Sequence, residues 1–306
     1  MIVSKRPPKA VANKNDLYER AIGYILIAPA TILLLVFTIY PVFYLLYRSL
    51  FSGNLISSKM NFVGLDNYTR LMTSSEFHQV LRNTMFYTFI VVVLTMMFAV
   101  LIAVWLNEKK MRRLNDIVSS FIFTPHVVSI VSVSTLFLWL MDSNAGLLNL
   151  VITTLGFQPY TFLASPETAL FSLTLVMVWK SIGYYSLLIM AALQNIPSNI
   201  YEAAELDDAP KIKTFFKITF PMISPTILFV SVVATIQSFR VFDTVSVMTQ
   251  GGPVNSTNTL VYYIYQYAFR YGKPGYACAA GVILLIFVCI VTYIQFGVGS
   301  KRVHYQ

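Results

Sequence analysis

Few side chains in this 306-residue chain are placed for covalent chemistry. His78, His126 and His304 are far apart, and Cys278 and Cys289 share one apolar stretch. No HExxH, CxxC or GxxxxGKS/T pattern occurs, so metal binding and intrinsic ATP hydrolysis have no sequence support. The chemistry left is noncovalent and belongs to polar groups set in apolar surroundings. Lys180 sits inside an apolar run beside Trp179, and Tyr184 shares its face at i,i+4 spacing. An ammonium and phenol tips can bond the hydroxyls of a sugar or an acidic solute, while the rings suit apolar CH faces. The other reading is a lysine that snorkels or pairs with a residue of a neighbouring subunit. Gln237 and Arg240, at i,i+3, could face a pathway or its outer vestibule; Arg240 could instead pair with Asp243. Ser231, Thr235 and Ser238 add polar points to the same helix, and Tyr262, Tyr263, Tyr265, Gln266 and Tyr267 read as an interfacial belt. His126, after Pro125, suits a structural role near a helix start better than proton transfer.

The elements that must position these groups follow from composition. Hydrophobic residues make up 57 % and charged residues 11 %, against about 25 % charged in globular proteins. Mean hydropathy is +0.67. Too few charges exist to cover a water-exposed surface, and disordered, collagenous and coiled-coil chains are excluded. A helix needs about 20 apolar residues to cross the hydrocarbon layer. Six stretches qualify, at about 21–47, 83–107, 117–141, 168–193, 221–241 and 274–298, the fourth containing Lys180. The uncharged stretches 143–166 and 244–260 are too rich in Asn, Gly, Pro, Ser and Thr to span, and read as loops. The tails 1–20 and 301–306 and the loops 108–116 and 211–217 hold 14 of the 22 basic residues, which places both termini in the cytoplasm. The net charge of +9 therefore records inward-facing bases of a multi-pass membrane chain rather than nucleic-acid binding. The first span is long and lacks a small-residue cleavage site, unlike a signal peptide.

The loop 194–221 carries a short helix capped by Ser198 or Asn199, with Glu202 at the capping-box position. Ala203 and Ala204 offer a surface with little bulk. Pro210 suits the first turn of a second short helix with Ile212, Phe215, Phe216 and Thr219 on one face, and Pro221 ends it and opens the fifth span. Upstream, Asp66 is placed to cap a short helix before the second span. DNA binding is excluded for the helix-turn-helix, because Glu202, Glu205, Asp207 and Asp208 would repel phosphates.

The segment Glu202-Ala203-Ala204, with Asp207, Ala209 and Ile218-Thr219-Phe220-Pro221, resembles the "EAA" loop of permease subunits of binding-protein-dependent ABC importers. Its surroundings resemble the carbohydrate-uptake group, similar to the maltose and glycerol-3-phosphate permeases. Phe242-Asp243, Thr249-Gln250-Gly251-Gly252-Pro253, Ser256-Thr257, Tyr263-Ile264-Tyr265, Ala268-Phe269 and Gly275-Tyr276-Ala277 fit that family's outer segment and sixth span. Phe62 to Tyr68, Arg82-Asn83-Thr84 and Gly146-Leu147-Leu148-Asn149 match it too, so the resemblance runs from about residue 20 to about residue 300. The family pattern has Gly where this chain has Asp208, at the turn between the short helices; Asp tolerates the left-handed region better than most residues.

The resemblance implies an all-α membrane protein with the type I ABC importer permease fold, six transmembrane helices over 21–300 and a cytoplasmic helix-turn-helix coupling loop at 194–221. It implies the cell membrane of a bacterium or archaeon. The partners implied are a second homologous permease, two ATPase subunits and an external solute-binding protein. No cofactor is expected in this chain, since ATP and Mg would be bound by the ATPases. Glu202, Ala203, Ala204, Asp207, Asp208 and Ala209 would couple to the ATPase, and Trp179, Lys180, Tyr184, Gln237 and Arg240 would line the solute pathway. The alternatives are the same architecture for a glycerophosphodiester or other polar solute, and a stand-alone secondary transporter, which would need no ATPase socket.

Overall fold

The computed structural model describes residues 14–54, 60–107 and 112–300. Several of the basic residues that set the orientation, Lys5, Arg6, Lys9, Lys109, Lys110, Lys301 and Arg302, lie outside them, as does Lys59. In hydrocarbon every backbone polar group needs an internal partner, so apolar runs of this length become helices. The first span is α1 (Lys14–Leu34), a π-turn at Leu35–Ile39, and α2 (Tyr40–Ser49). A two-residue hairpin, β1 (Phe51–Ser52) with β2 (Asn61–Phe62), leads into α3 (Asp66–Thr73). The second span is α4 (Ser75–Leu106). It is followed by α5 (Arg112–Val127), α6 (Ile130–Leu140), α7 (Leu147–Thr154) and α8 (Pro166–Gln194). Then come α9 (Ser198–Leu206), α10 (Lys211–Thr214), a π-turn at Phe215–Thr219 and α11 (Phe220–Phe239). A π-turn at Val245–Thr249, α12 (Leu260–Tyr265), another π-turn at Gln266–Arg270 and α13 (Pro274–Ser300) complete the chain.

Five helical stretches are long and apolar enough to cross a membrane: Ile22–Ser49, Ser75–Leu106, Pro166–Gln194, Lys211–Phe239 and Pro274–Gly299. The expected third span, 117–141, is not one helix. It is a pair, Ile117–Val127 and Ile130–Leu140, bent by 97°. Pro125 lacks the N–H that would bond back to Phe121, so the helix weakens there and ends at Val127. His126 thus closes the first half instead of sitting near a helix start. The second span begins eight residues before the expected 83, because Ser74 caps it by accepting from the Phe77 amide and because Phe77 and Val80 are fully buried.

Pro221 does not separate the second short helix from the fifth span either. Helix runs on from Lys211 to Phe239. A proline ring collides with the carbonyl four residues earlier. For Pro221 that is Lys217, inside the π-turn Phe215–Thr219, whose wider winding makes room. The first span repeats the arrangement, with the π-turn Leu35–Ile39 two residues before Pro41.

Packing centres on α4, α8 and α11. At one end Tyr87, Val133, Leu173, Val176, Val245 and Tyr262 form a cluster joining α4, α6 and α8 to the segment after α11. At the other, Ala99, Ala103, Ile189, Leu193, Ile223 and Val230 join α4, α8 and α11. The first span stands outside this trio, with exposed Tyr40, Phe43 and Tyr44, and its α2 packs on α13. The small residue Gly183 lets α5 lie directly on α8: a Cβ there would stand 2.0 Å from the Ile122 carbonyl oxygen. Gly183→Val should therefore destabilise the protein by about 1–3 kcal/mol or more. Gly297→Val, where a Cβ meets nothing within 4 Å, is the control. Thermal unfolding midpoints of the purified membrane complex check this; equal midpoints would mean that α5 is not seated on α8.

Candidate functional site

Lys180 is 9 % exposed, in the middle of α8. Its ammonium donates to the carbonyl oxygens of Pro125 (3.0 Å), His126 (3.2 Å) and Val128 (2.6 Å). These are carbonyls that α5 leaves unbonded where it ends, and an ammonium is their natural partner at a helix C-terminus. An ammonium has three N–H donors, and all three are engaged. Lys180 therefore neither snorkels nor points free into a cavity: instead of turning to a solute, its donors are on the bend between α5 and α6.

The neighbouring residues of α8 serve the same junction. Tyr184 stacks on the His126 ring, with centroids 4.4 Å apart and planes 8° from parallel. Phe123 is a second ring against His126, with centroids 5.7 Å apart. Trp179 meets Phe137 of α6 edge-on at 5.2 Å while remaining half exposed. One stretch of α8 thus grips both halves of the broken helix, α5 through Lys180, Gly183 and Tyr184, and α6 through Trp179. The i,i+4 spacing put Lys180 and Tyr184 on one face. Their shared target, some 55 residues away in sequence, had no signal beyond Pro125.

Polar groups on α11 divide into two sets. Ser231, Thr235 and Ser238 donate to carbonyls of their own helix at 2.8 Å each, and Gln295 of α13 donates to the Thr235 hydroxyl at 2.8 Å. Gln237 and Arg240 are exposed at the helix end, and Arg240 is not paired with Asp243. No hydrogen bond or ring contact among the described residues links either one to Trp179, Lys180 or Tyr184.

At the Tyr87 end of α4, motifs separate in sequence meet. The Asn83 amide donates to the carbonyls of Asn255 (2.9 Å) and Asn258 (3.1 Å), and the Thr84 hydroxyl accepts from the Leu260 amide at 2.9 Å. Tyr262 and Tyr263 are wholly buried, so the aromatic stretch is core and not a lipid-facing belt. Arg270 lies 5.8 Å from the centres of both the Tyr262 and Tyr265 rings. The Tyr267 hydroxyl donates to Glu76 at 3.0 Å. Burial pushes that hydroxyl up to about 12 and the Glu76 carboxylate adds to the effect, so it remains a donor at physiological pH.

At the other end, α9 starts without a side-chain cap, so neither Ser198, Asn199 nor Glu202 acts as expected there. Asp66 likewise caps nothing; it pairs with Arg70 at 2.9 Å, one turn along α3. Asp208 adopts φ 49°, the left-handed conformation that the turn requires, and the Ala209 amide closes it on the Ala204 carbonyl at 3.0 Å. Glu202, Ala203, Asp207 and Asp208 face outward, Ala209 is half-buried, and Ala204 is buried within this chain. Ala204 is therefore unable to offer a surface to another protein. Leu206, Ile212 and Phe216 form the exposed apolar edge of this hairpin, and Leu206 had not been singled out in the sequence. The Tyr201 and Thr219 hydroxyls, 3.2 Å apart, tie α9 to the π-turn below the fifth span.

The Lys180 junction generates one expectation. Lys180→Met keeps the stem and removes the donors, leaving three carbonyls short of partners at about 1–3 kcal/mol for each group left buried and unsatisfied. Amides around the bend should exchange hydrogen faster in the variant, measured by mass spectrometry of the purified complex. Unchanged exchange would mean that the ammonium does not hold the bend.

Comparison with known proteins places this geometry. A family described as "Binding-protein-dependent transport system inner membrane component" matches residues 97–305. The chain is 35 % identical over 286 residues to a lactose transport system permease protein of Rhizobium radiobacter, covering 92 % of this chain and 94 % of that one. It is 33 % identical over 285 residues to an arabinooligosaccharides transport system permease protein of Bacillus subtilis, covering 92 % and 90 %. A chain from the bacterial alginate ABC transporter, solved with an alginate pentasaccharide-bound periplasmic protein, superposes with a TM-score of 0.84. At 22 % identity over 95 % of this chain and 98 % of that one, this likeness speaks for the fold.

Proposed function

The chain belongs to the inner membrane components of binding-protein-dependent transport systems, and from that membership we propose that it is the translocation subunit of an ATP-driven importer, taking a sugar or oligosaccharide from an external binding protein into the cytoplasm. The observation that carries the substrate class is the likeness, over nine-tenths of the chain, to permeases named for lactose and arabinooligosaccharides. The chain is a permease and not an ATPase. A second permease would complete the pathway and two cytoplasmic ATPase subunits would drive it, with both termini of this chain on their side. Opening toward either side would follow ATPase closure and release.

In this reading Trp179, Tyr184, Gln237 and Arg240 face the solute. Tyr184 offers a ring already fixed by stacking, and Gln237 and Arg240 have donors not engaged among the described residues. Lys180 contributes by holding the bend. The hairpin of α9 and α10 would seat in a cleft of one ATPase, with Glu202, Ala203, Asp207 and Asp208 toward it and the edge of Leu206, Ile212 and Phe216 alongside. Ala204 and Ala209 would support that surface from behind.

Reconstitution of the whole transporter with its binding protein, followed by a panel of saccharides and glycerophosphodiesters, tests the substrate class. A saccharide should stimulate ATP hydrolysis; stimulation by a glycerophosphodiester alone would replace the sugar reading. Gln237→Ala should raise the uptake KM by about 2- to 10-fold, the worth of one hydrogen bond, with assembly intact. Ala203→Trp should overpack the ATPase joint by about 1–3 kcal/mol and reduce ATPase copurification, whereas Asp208→Gly, at a left-handed position, should leave it unchanged or firmer. Full ATPase retention by Ala203→Trp would remove α9 from the joint.

A further inference from the structure

The outer ends of the first and last spans border a half-open cavity of about 350 Å³, lined among others by Ser52, Asn67, Arg70, Tyr267, Lys273 and Tyr276. Its walls are firmly built. Asn67, 4 % exposed, donates to the carbonyls of Ser49 (2.8 Å) and Phe51 (3.1 Å), which fixes the chain as it leaves α2. Gly275 is pressed so closely on Phe51 that a Cβ would stand 1.8 Å from its carbonyl oxygen. The hydroxyl of Tyr276 lies 3.2 Å from that of Tyr263, and the hydroxyl of Tyr267 is turned to Glu76.

The charged lining is cationic. Arg70 gives one guanidinium nitrogen to Asp66 at 2.9 Å and keeps its remaining donors. The Lys273 ammonium has no partner among the described residues, and its side chain is exposed. Basic residues are scarce on the outer side of a membrane protein, yet two of them share this one cavity. Next to it the chain is apolar and aromatic. The first span exposes Tyr40, Phe43, Tyr44 and Tyr47 in succession. Tyr47 then meets Phe51 at 4.6 Å, and Phe51 meets Phe62 at 5.4 Å, an aromatic step of the kind found at headgroup level.

We propose that this cavity binds the phosphate of a membrane phospholipid, with Arg70 and Lys273 as its charged ligands and the Tyr47–Phe51–Phe62 step beside its acyl chains. A free phosphate would meet the same charges, but only a lipid uses the aromatic step and the exposed span next to it. The site is separate from the solute pathway and requires only that the first and last spans cross the membrane.

Native mass spectrometry of the whole transporter, supplied with phosphatidylglycerol, tests it. The double substitution Arg70→Gln with Lys273→Gln should weaken lipid retention by about 25-fold, from about 5-fold per basic charge. Arg70→Lys with Lys273→Arg should keep it, and Phe62→Ala should weaken it with the charges untouched. Equal retention by the wild type and the glutamine pair would overturn the site. Equal loss in the charge-conserving pair would also overturn it, since the effect would then be one of folding. Displacement of the lipid by millimolar inorganic phosphate would overturn the lipid as the source of the phosphate.

Discussion

A helix that ends in apolar surroundings leaves carbonyl oxygens short of partners, and α5 does so at Val127. The ammonium of Lys180 supplies what the missing turn of helix would have supplied, three hydrogen bonds from one group. The rest of the junction follows from this contact. Because α8 carries the ammonium, α5 must lie against α8, and Gly183 provides the clearance. Because the bend turns α6 through 97°, that half leaves α5 and joins the core beneath residues 241–262. Tyr184 on His126 and Trp179 on Phe137 then fill the two sides of the same joint. A buried charge is costly in hydrocarbon, and here the cost is offset by carbonyls that would otherwise be unpaired.

Continuity with loss of regular geometry recurs along the chain. At Pro41 and Pro221 the helix widens into a π-turn and continues; at Pro125 it stops. The difference lies in what surrounds each proline. The prolines at 41 and 221 follow a π-turn that takes up the displaced carbonyl, whereas the carbonyls near Pro125 have a lysine waiting for them. The unbroken helix from Lys211 into the fifth span leaves no non-helical link between α10 and α11, the helix that carries Gln237 and Arg240.

The segment after α11 is held by a different device. Asn83 and Thr84, in the second span, bond the backbone of residues 255–260 and fix a loop that has little regular structure of its own. With Tyr262 and Tyr263 buried behind it, this loop is a rigid cap over α4.

The sequence by itself determined the membrane class, the existence of five long apolar helices, the family, and the left-handed turn at Asp208, since each depends on local composition or on motifs read in order; it set the starts of the second and fifth of the expected spans eight and ten residues late, because caps and helix continuity are not read from apolar runs. It also put Lys180 and Tyr184 on one face, because helical periodicity needs no partner to be known. It could not disclose that 117–141 is broken: both halves are apolar and uncharged, and a proline alone allows a kink as readily as a stop. It could not show that Ala204 faces inward while Ala203 faces out, or that Tyr262 and Tyr263 are core, because the side of a helix that is buried depends on which helix lies next to it. Above all, the role of Lys180 was decided by tertiary structure. An ammonium in an apolar run must find acceptors, but whether these are solute hydroxyls, a neighbouring subunit or carbonyls some 55 residues away is fixed only when α5 comes to rest on α8.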